Sequence, residues 1–400
     1  MKNRPDDSAL IDSAPKDLPP KDSAPKDLAI DRRQFLAATG GLLAVTVPGT
    51  ANIVAAGPPS SAADAANSSA PRPHPAGNLR KIPIGVFDPV YEHLSLDAML
   101  DKVSALGLEA MEIGTGGYPN NHHCPLDDLI ADKSKAKSWQ KKFEDKGLRV
   151  ATLSCHGNPL HPDPKLAQKD IDIFRKTVLL AEMLDVKVIV GFSGCPGGNP
   201  QDVQPNWITY RWPPEYATMQ DWQWKEKIIP YWKEQAKYAR EHGIKRLAFE
   251  MHPNFAVYNP RTLMKLREAV GEEIGANCDL SHLFWQGCDP VEVIHFLGKQ
   301  GAIYHAHMKD TVFFPENVNR YGVLNFAFET NELDLASETF RAVGYGHSAS
   351  LWKSVIKAYM DIGYEGILSI ENEDPILAGE VGVERAAYVL KNVRNELLGA

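Results

Sequence analysis

Four short apolar runs, each ending in a residue type that binds divalent metals, decide the predicted fold. They are RLAFE (246–250), IGANCD (274–279), AIYHAH (302–307) and GILSIE (366–371), and they end on Glu250, Asp279, His307 and Glu371. Successive end points lie 29, 28 and 64 residues apart, which is about one, one and two times the length of a βα unit of roughly 30 residues. The spacing predicts parallel strands whose C-terminal ends lie side by side.

Strand-like and helix-like stretches alternate from residue 81 to the C-terminus. Four further strand-like runs come before residue 246 in the chain: KIPIGVF (81–87), GLEAMEIG (107–114), LRVATLSCHG (148–157) and VKVIVGFSG (186–194). Eight strand–helix pairs in order predict an α/β protein of the (β/α)₈ TIM-barrel class. In such barrels the C-terminal ends of the strands form one mouth, and this mouth carries the chemistry.

Composition limits the classes of partner. The chain has 400 residues, 44% of them hydrophobic and 24% charged, and a formal net charge of −8. An acidic balance gives no general attraction for phosphate backbones, so no nucleic-acid partner is expected. The five cysteines contain no CxxC pair, so neither a zinc ribbon nor a disulfide framework is predicted.

The N-terminal segment differs in composition from the rest. The polar heptapeptide DSAPKDL occurs at 12–18 and 22–28, and Arg32-Arg33 precede a modestly apolar run over 37–56. We predict a disordered N-terminus with a twin-arginine signal over 1–56, a linker over 57–79 and the barrel over 80–400. Export by the twin-arginine machinery to the periplasm or medium follows. Pro48 and two glycines interrupt the run, so no stable membrane insertion is expected after signal removal.

The four strand ends predict a site for one divalent metal ion. Two Glu, one Asp and one His make a mostly oxygen ligand set, which favours Mn²⁺ or Mg²⁺ and permits Co²⁺ or Zn²⁺. His305 and His307 share a strand face, and we choose His307 because it is the last inward residue. Glu250 and Glu371, placed on either side of a bound sugar, would remove and return a proton. Metal-bound carboxylates are weak bases, so His156 or His282 shares this catalytic work.

From Ile82 onward the chain resembles the xylose-isomerase-like TIM-barrel superfamily, the sugar phosphate isomerase/epimerase group. The motifs that carry the resemblance are LSCHGNPL, AFEMHP, CDLSH, HAHMKD and GYEGILSIENED. The resemblance implies that Glu250, Asp279, His307 and Glu371 hold one metal ion and that His282 contacts substrate. The chain departs at Asn372, where many members read SIEHED. Members differ in reaction and include epimerases, isomerases, dehydratases, lyases and apurinic endonucleases.

Two long excursions from the alternating pattern are expected to set substrate choice. The segment 206–224 holds four of the eight tryptophans, and we expect Trp212 to stack on a carbohydrate; packing within the insertion, or a contact in a homo-oligomer, is the alternative. In the second excursion, from Asp310 to His347, Arg341 is a candidate partner for a phosphate or an oxidised sugar, with an ordinary surface salt bridge as the alternative. Lys309 and Asp310, directly after His307, together with His156 and His282, complete the predicted substrate-binding set.

These features predict an exported, metal-dependent sugar isomerase or epimerase that abstracts a proton next to a carbonyl of a sugar or keto-sugar. A lyase or hydratase acting on 3-keto-glycosides with the same site is the alternative. An apurinic endonuclease and a non-catalytic sugar-binding protein are less favoured, because the acidic balance opposes the first and the full ligand set opposes the second.

Overall fold

The structure is a computed structural model that describes residues 80–118, 120–325 and 333–399. The predicted signal segment (1–56) and linker (57–79) lie outside the described residues. Ten strands are described, in chain order β1 (Ile84–Phe87), β2 (Ala110–Gly114), β3 (Arg149–Cys155), β4 (Val188–Gly191), β5 (Arg246–Glu250), β6 (Ile274–Asn277), β7 (Ile303–Met308), β8 (Asp310–Phe313), β9 (Glu338–Arg341) and β10 (Leu368–Ile370).

Eight of these strands form a closed parallel barrel in the order β1-β10-β7-β6-β5-β4-β3-β2. β10 pairs with β1 through Ile84 and Leu368, and this pairing closes the barrel. The strands are short and almost wholly buried, as expected when an interior core and an outer ring of helices cover both faces. The predicted (β/α)₈ barrel is confirmed.

Twelve α-helices are described. In chain order they are α1 (Leu96–Ala105), α2 (Leu126–Ala131), α3 (Lys133–Glu144), α4 (Pro164–Leu184), α5 (Pro214–Trp222), α6 (Ile229–Glu241), α7 (Pro260–Val270), α8 (Ser281–Phe284), α9 (Pro290–Lys299), α10 (Pro315–Tyr321), α11 (Ala349–Asp361) and α12 (Gly379–Leu398). A 3₁₀ turn follows β1 at Asp88–Tyr91, and a π-helical segment at Gln223–Ile228 joins α5 to α6. Among the described residues, no helix is both long enough and apolar enough to cross a membrane.

Local signals in the sequence explain where the barrel helices begin. Before α7, the Asn259 side chain accepts from the backbone N–H of Thr262 and the Thr262 hydroxyl accepts from that of Asn259, which forms a capping box. At the starts of α4 and α9, Asp163 accepts from the backbone N–H of Lys165 and Asp289 from that of Glu292, and each Asp is followed by a proline in the first helical turn. These caps set the direction in which each helix leaves the mouth.

The second predicted excursion contains a hairpin that the sequence did not indicate. β8 and β9 pair antiparallel, with Asp310 opposite Arg341 and Phe313 opposite Glu338. The first residue of β8 comes only two positions after the end of β7. The hairpin therefore starts at the mouth of the barrel and belongs to the surroundings of the site.

Candidate metal centre and active site

The structure brings the four predicted ligands together at the C-terminal ends of their strands. Glu250 ends β5, His307 lies near the end of β7, Asp279 follows β6 and Glu371 follows β10. His307 Nδ1 lies 3.0 Å from Glu371 Oε2, 3.4 Å from Glu250 Oε2 and 4.0 Å from Asp279 Oδ2. One ligand atom from each of the four residues lies within 4.8 Å of every other, and all four residues are buried.

The donor set fits a divalent cation. Three carboxylate oxygens and one imidazole nitrogen suit Mg²⁺ or Mn²⁺ and accept Zn²⁺ or Co²⁺. Asp279 Oδ2 has no hydrogen-bond partner among the described residues, although Lys309 Nζ lies 2.9 Å away. Buried oxygens are rarely left without hydrogen bonds in native proteins, so an unmet acceptor at this position agrees with a cation site.

Positive charge already balances part of the cluster. Lys309 Nζ lies 2.6 Å from Glu371 Oε2 and 3.0 Å from Glu373 Oε2. Burial opposes its protonation, but Asp279 and Glu371 raise the pKa of Lys309 well above its usual value. Burial likewise opposes protonation of the His307 ring, yet Glu371 and Glu112 raise the pKa of His307 well above its usual value. The neighbouring carboxylates therefore favour the protonated forms of Lys309 and His307 when no cation is bound.

Two further histidines flank Glu250. His282 Nε2 lies 3.0 Å from Glu250 Oε1, and His156 Nε2 lies 3.4 Å from Glu250 Oε2. Burial alone would raise the pKa of Glu250, but the imidazoles of these residues and of His307 hold it well below its usual range. Nδ1 of His156 and Nδ1 of His282 have no hydrogen-bond partner among the described residues, whereas Nε2 of each ring faces Glu250. Both rings therefore have nitrogens free for a ligand.

A second carboxylate, Glu112 of β2, is buried below this site. The hydroxyls of Ser154 and Ser369 donate to Glu112 over 2.5 Å and 2.7 Å. His305 Nε2 lies 2.6 Å from Glu112 Oε2, and His307 Nε2 lies 3.0 Å from the same oxygen. A ligand histidine whose other nitrogen donates to a carboxylate has a fixed tautomer and ring orientation. Glu112 thus turns Nδ1 of His307 toward the mouth, and His305 stays outside the ligand set.

A cavity of about 260 Å³ adjoins the ligand set on the side of Glu371. Its walls include Phe87, Glu92, Tyr118, Asn120, Glu371 and Glu373. Tyr118 donates to Glu373 Oε1 over 2.8 Å, and Asn120 donates to Glu92 Oε2 over 2.8 Å. Its volume is slightly below the roughly 300–1,000 Å³ of clefts for drug-sized ligands, so one small molecule fits beside Glu371.

The predicted substrate-binding residues meet different fates. Lys309 is part of the ion cluster. Arg341 donates through Nε to Asp374 over 2.8 Å, which leaves less of its guanidinium for a ligand. Trp212 is 66% exposed on the first excursion, and its predicted stacking on sugar stays a prediction.

The predicted substrate contact of Asp310 stays a prediction, and the carboxylate is engaged within the chain. Asp310 Oδ2 accepts from the backbone N–H groups of Gly344, Gly346 and His347 and from the indole N–H of Trp352. Oδ1 accepts from the Thr311 N–H and lies 2.7 Å from His347 Nδ1. Both oxygens of Asp310 therefore help to hold the loop after β9.

Three polar residues near the site escaped the sequence prediction. Asn277 Nδ2 lies 3.2 Å from Glu250 Oε2 and 3.1 Å from His307 Nδ1, bridging two ligands. Glu373, two residues after Glu371, joins Lys309 to Tyr118. Glu338 of β9 is buried, and burial raises the pKa of its carboxyl to about 7. Alternation along β6 could have pointed to Asn277, whereas nothing local marked Glu338.

The fold and the site together define the class of protein: a TIM barrel with a candidate metal site at the C-terminal ends of its strands. Residues 100–393 match the model of the xylose isomerase-like TIM barrel family, and the chain belongs to that family. The protein YfiH of Bacillus subtilis (strain 168) is 38% identical over 305 residues, covering 75% of this chain and 95% of YfiH.

Solved structures share the fold at lower identity. A D-tagatose 3-epimerase-like protein is 19% identical with a TM-score of 0.52, covering 79% of this chain and 100% of its own. A xylose isomerase-like TIM barrel protein from Mycobacterium smegmatis in complex with magnesium is 16% identical with a TM-score of 0.53, covering 80% of this chain and 99% of its own. At these identities the likeness concerns the fold.

Proposed function

We propose that this protein is a divalent-metal-dependent isomerase or epimerase of a sugar or keto-sugar. The observation that carries the proposal is the convergence of Glu250, Asp279, His307 and Glu371 beside a cavity for a small ligand. Family membership and the similarity to an epimerase-like protein and to a magnesium-bound barrel agree with it. Mn²⁺ and Mg²⁺ are the ions that this ligand set favours.

The residues of the site divide the proton transfer between them. A divalent cation held by the four ligands would polarise a substrate carbonyl and make the adjacent C–H bond more acidic. Glu250, kept ionised by the surrounding imidazoles, takes the proton as the C–H bond breaks and its electron pair forms an enediolate. His282 Nε2, 3.0 Å from Glu250 Oε1, orients this carboxylate.

Glu371 returns a proton, taken up from solvent, from the other side, and Glu250 releases its own proton to solvent before the next turnover. β5 and β10 are separated in the barrel by β6 and β7, so Glu250 and Glu371 approach the mouth from different directions. Return of the proton to the opposite face of the same carbon gives epimerisation, and return to the neighbouring carbon gives isomerisation. His156 and His282 have free ring nitrogens through which they can relay protons or bind substrate hydroxyls.

The test is solvent deuterium exchange. The full chain is incubated in D₂O with a panel of ketoses and keto-glycosides, with Mn²⁺ or after treatment with a chelator. We expect deuterium at one sugar carbon only when the metal is present. Complete absence of metal-dependent exchange across the panel would reject proton abstraction next to a carbonyl.

Product analysis in the same experiment separates the alternatives. A lyase acting on 3-keto-glycosides releases an aglycone, and a hydratase changes the mass of the sugar by one water, whereas an epimerase does neither. A sugar-binding protein leaves every substrate unchanged. An apurinic endonuclease cleaves abasic DNA, which the net charge of −8 disfavours.

We also propose export by the twin-arginine route, on the support of Arg32-Arg33 and the apolar run that follows them. The test is fractionation of cells that express the full chain. Wild type is expected outside the cytoplasm, and Arg32→Lys combined with Arg33→Lys is expected to retain the protein inside. Equal export of both chains would reject the route.

A further inference from the structure

The cavity beside Glu371 has a charge pattern that bears on which sugars enter it. Among the described residues that line it, three are carboxylates, Glu92, Glu371 and Glu373, and none is Lys, Arg or His. Anionic ligands such as phosphate esters are normally bound by Arg, Lys or a helix N-terminus. The described wall of this cavity offers the opposite charge.

The loop that commonly binds phosphate in TIM barrels is acidic in this chain. Barrel enzymes frequently hold a phosphate with the loops after the seventh and eighth strands. In this chain the eighth strand of the barrel is β10. The loop after it reads Glu371-Asn372-Glu373-Asp374, with three carboxylates in four residues. Asp374 accepts from the Ala342 N–H and from Nε of Arg341, so part of that guanidinium is already paired with a carboxylate.

The ammonium group of Lys309 beside this cavity is already shared by three carboxylates. Lys309 Nζ lies within 3.0 Å of Asp279, Glu371 and Glu373. A bound divalent ion adds two positive charges, and a His that ligates it is neutral. Formal charges are then three positive against five negative, from Glu92, Glu250, Asp279, Glu371 and Glu373. The mouth stays acidic with its metal in place.

Hydroxyl groups suit the same wall well. Tyr118 donates a hydrogen bond to Glu373, and Asn120 donates one to Glu92. These bonds orient the two carboxylates and leave other lone pairs of their oxygens free. A sugar hydroxyl donates a hydrogen bond to such an oxygen, whereas an ionised phosphate or carboxylate has no proton to donate. Substrate hydroxyls gain hydrogen bonds where an anion meets repulsion.

We propose that this cavity selects an uncharged polyhydroxylated ketose or ketoside, and that Glu92 and Glu373 exclude sugar phosphates and sugar acids. The inference rests on the proposed function for the chemistry of the substrate. It goes further by naming the charge class and the residues that select it.

The test is a binding competition that does not depend on turnover. The Mn²⁺-loaded full chain is titrated, at low salt, with each neutral ketose of the panel and with its phosphate ester and its sugar acid. We expect the charged forms to bind about tenfold or more weakly than the neutral parent, as follows from like charges at close range. Raising the salt should reduce the difference, because the wall is partly exposed to solvent.

Variants locate the effect. Glu92→Gln combined with Glu373→Gln should reduce the preference for the neutral sugar by about tenfold. Glu365→Gln is the matched control, because Glu365 is an exposed carboxylate that pairs with Arg80 and comes before β10 rather than after it. It removes one negative charge at the opposite end of the barrel and should leave the preference unchanged.

The outcomes separate the two proposals. Neutral sugar bound without deuterium exchange would reject the proposed reaction and leave charge selection standing. Phosphate esters bound as tightly as their parents, a preference that the double variant does not alter, or no binding of any neutral sugar in the panel would each overturn the selection.

Discussion

Two buried polar clusters share His307: one at the base of the site around the single carboxylate Glu112, and one at the mouth with three carboxylates. At the base, Glu112 receives hydrogen bonds from two serine hydroxyls and lies against Nε2 of two histidines. At the mouth, Glu250, Asp279 and Glu371 lie close together around Nδ1 of His307, and Asp279 Oδ2 has no hydrogen bond within the described part of the chain. A single carboxylate surrounded by its own donors is suited to a structural role, whereas three carboxylates whose oxygens lie within 4.8 Å of one another are suited to a cation.

Removal of the Glu250 charge should have the largest effect on function. If the mouth cluster performs the chemistry, Glu250→Gln should lower metal-dependent deuterium exchange by about 10²–10⁴-fold, because the proposed base is lost. The matched control is Glu273→Gln, since Glu273 is a carboxylate near the opposite ends of β5 and β6, where it pairs with Arg240. Circular dichroism establishes that both variants are folded. Equal exchange by Glu250→Gln and wild type would remove Glu250 from the mechanism.

The base cluster should matter most for stability. Glu112→Ala removes the acceptor for two hydroxyls and two imidazoles and should lower the free energy of unfolding by about 3–5 kcal/mol, as when a buried ion pair loses one partner. Glu371→Gln in the metal-free protein should cost less than about 1 kcal/mol, because Lys309 keeps two other carboxylates and one like charge is removed. Urea unfolding with a chelator present measures both. Equal losses would mean that the two clusters do not differ in kind.

The sequence revealed the mouth more fully than the base. Glu250, Asp279, His307 and Glu371 each follow an apolar run at the spacing of a βα unit, so parallel strands alone predict that they converge. The base depends on contacts between distant parts of the chain, such as the contact of Glu112 with His307 across 195 positions. Within its own strand, AMEIG, Glu112 has no feature that predicts its partner.

The hairpin was missed for a different reason. β8 and β9 are only four residues each and are separated by a long stretch of chain, so neither shows a clear alternating pattern. The consequence is visible at Asp310. Asp310 lies three residues after the candidate ligand His307, and this position predicted a role in the site. In the structure its carboxylate accepts hydrogen bonds from three backbone N–H groups of the loop after β9.

Glu338 on this hairpin differs from the carboxylates of both clusters. It is buried, and its Oε2 has no hydrogen-bond donor in the described residues. Burial raises its pKa from 4.5 to about 7. At pH 4 the group is protonated in both the folded and unfolded states; between pH 4.5 and about 7 only the unfolded state ionises, so the folded protein loses stability there.

Between pH 4.5 and 7.5 the free energy of unfolding of the wild type should therefore fall by about 3 kcal/mol relative to that of Glu338→Gln, since one pKa unit corresponds to about 1.4 kcal/mol. Unfolding by urea at several pH values measures it. Parallel curves for the two proteins would show that Glu338 has enough donors after all and belongs with Glu112.

The smallest predicted effect tests whether His307 carries the positive charge of the mouth when no cation is bound. A histidine must be neutral to ligate a metal, so binding of Mn²⁺ releases the proton that Glu371 and Glu112 hold on His307. Below the raised pKa, affinity should increase with pH by up to about tenfold per unit. Calorimetric titration between pH 6 and 8, in buffers of different ionisation enthalpy, counts the protons released.

Glu112→Gln should make the dependence of metal affinity on pH shallower, because it removes one of the two charges that raise the pKa of His307. Glu365→Gln, at the far end of the barrel, should leave that dependence unchanged. If affinity were independent of pH, the ion-free mouth would be balanced by Lys309 alone, and the base cluster would not contribute to metal binding through the charge of the histidine it shares.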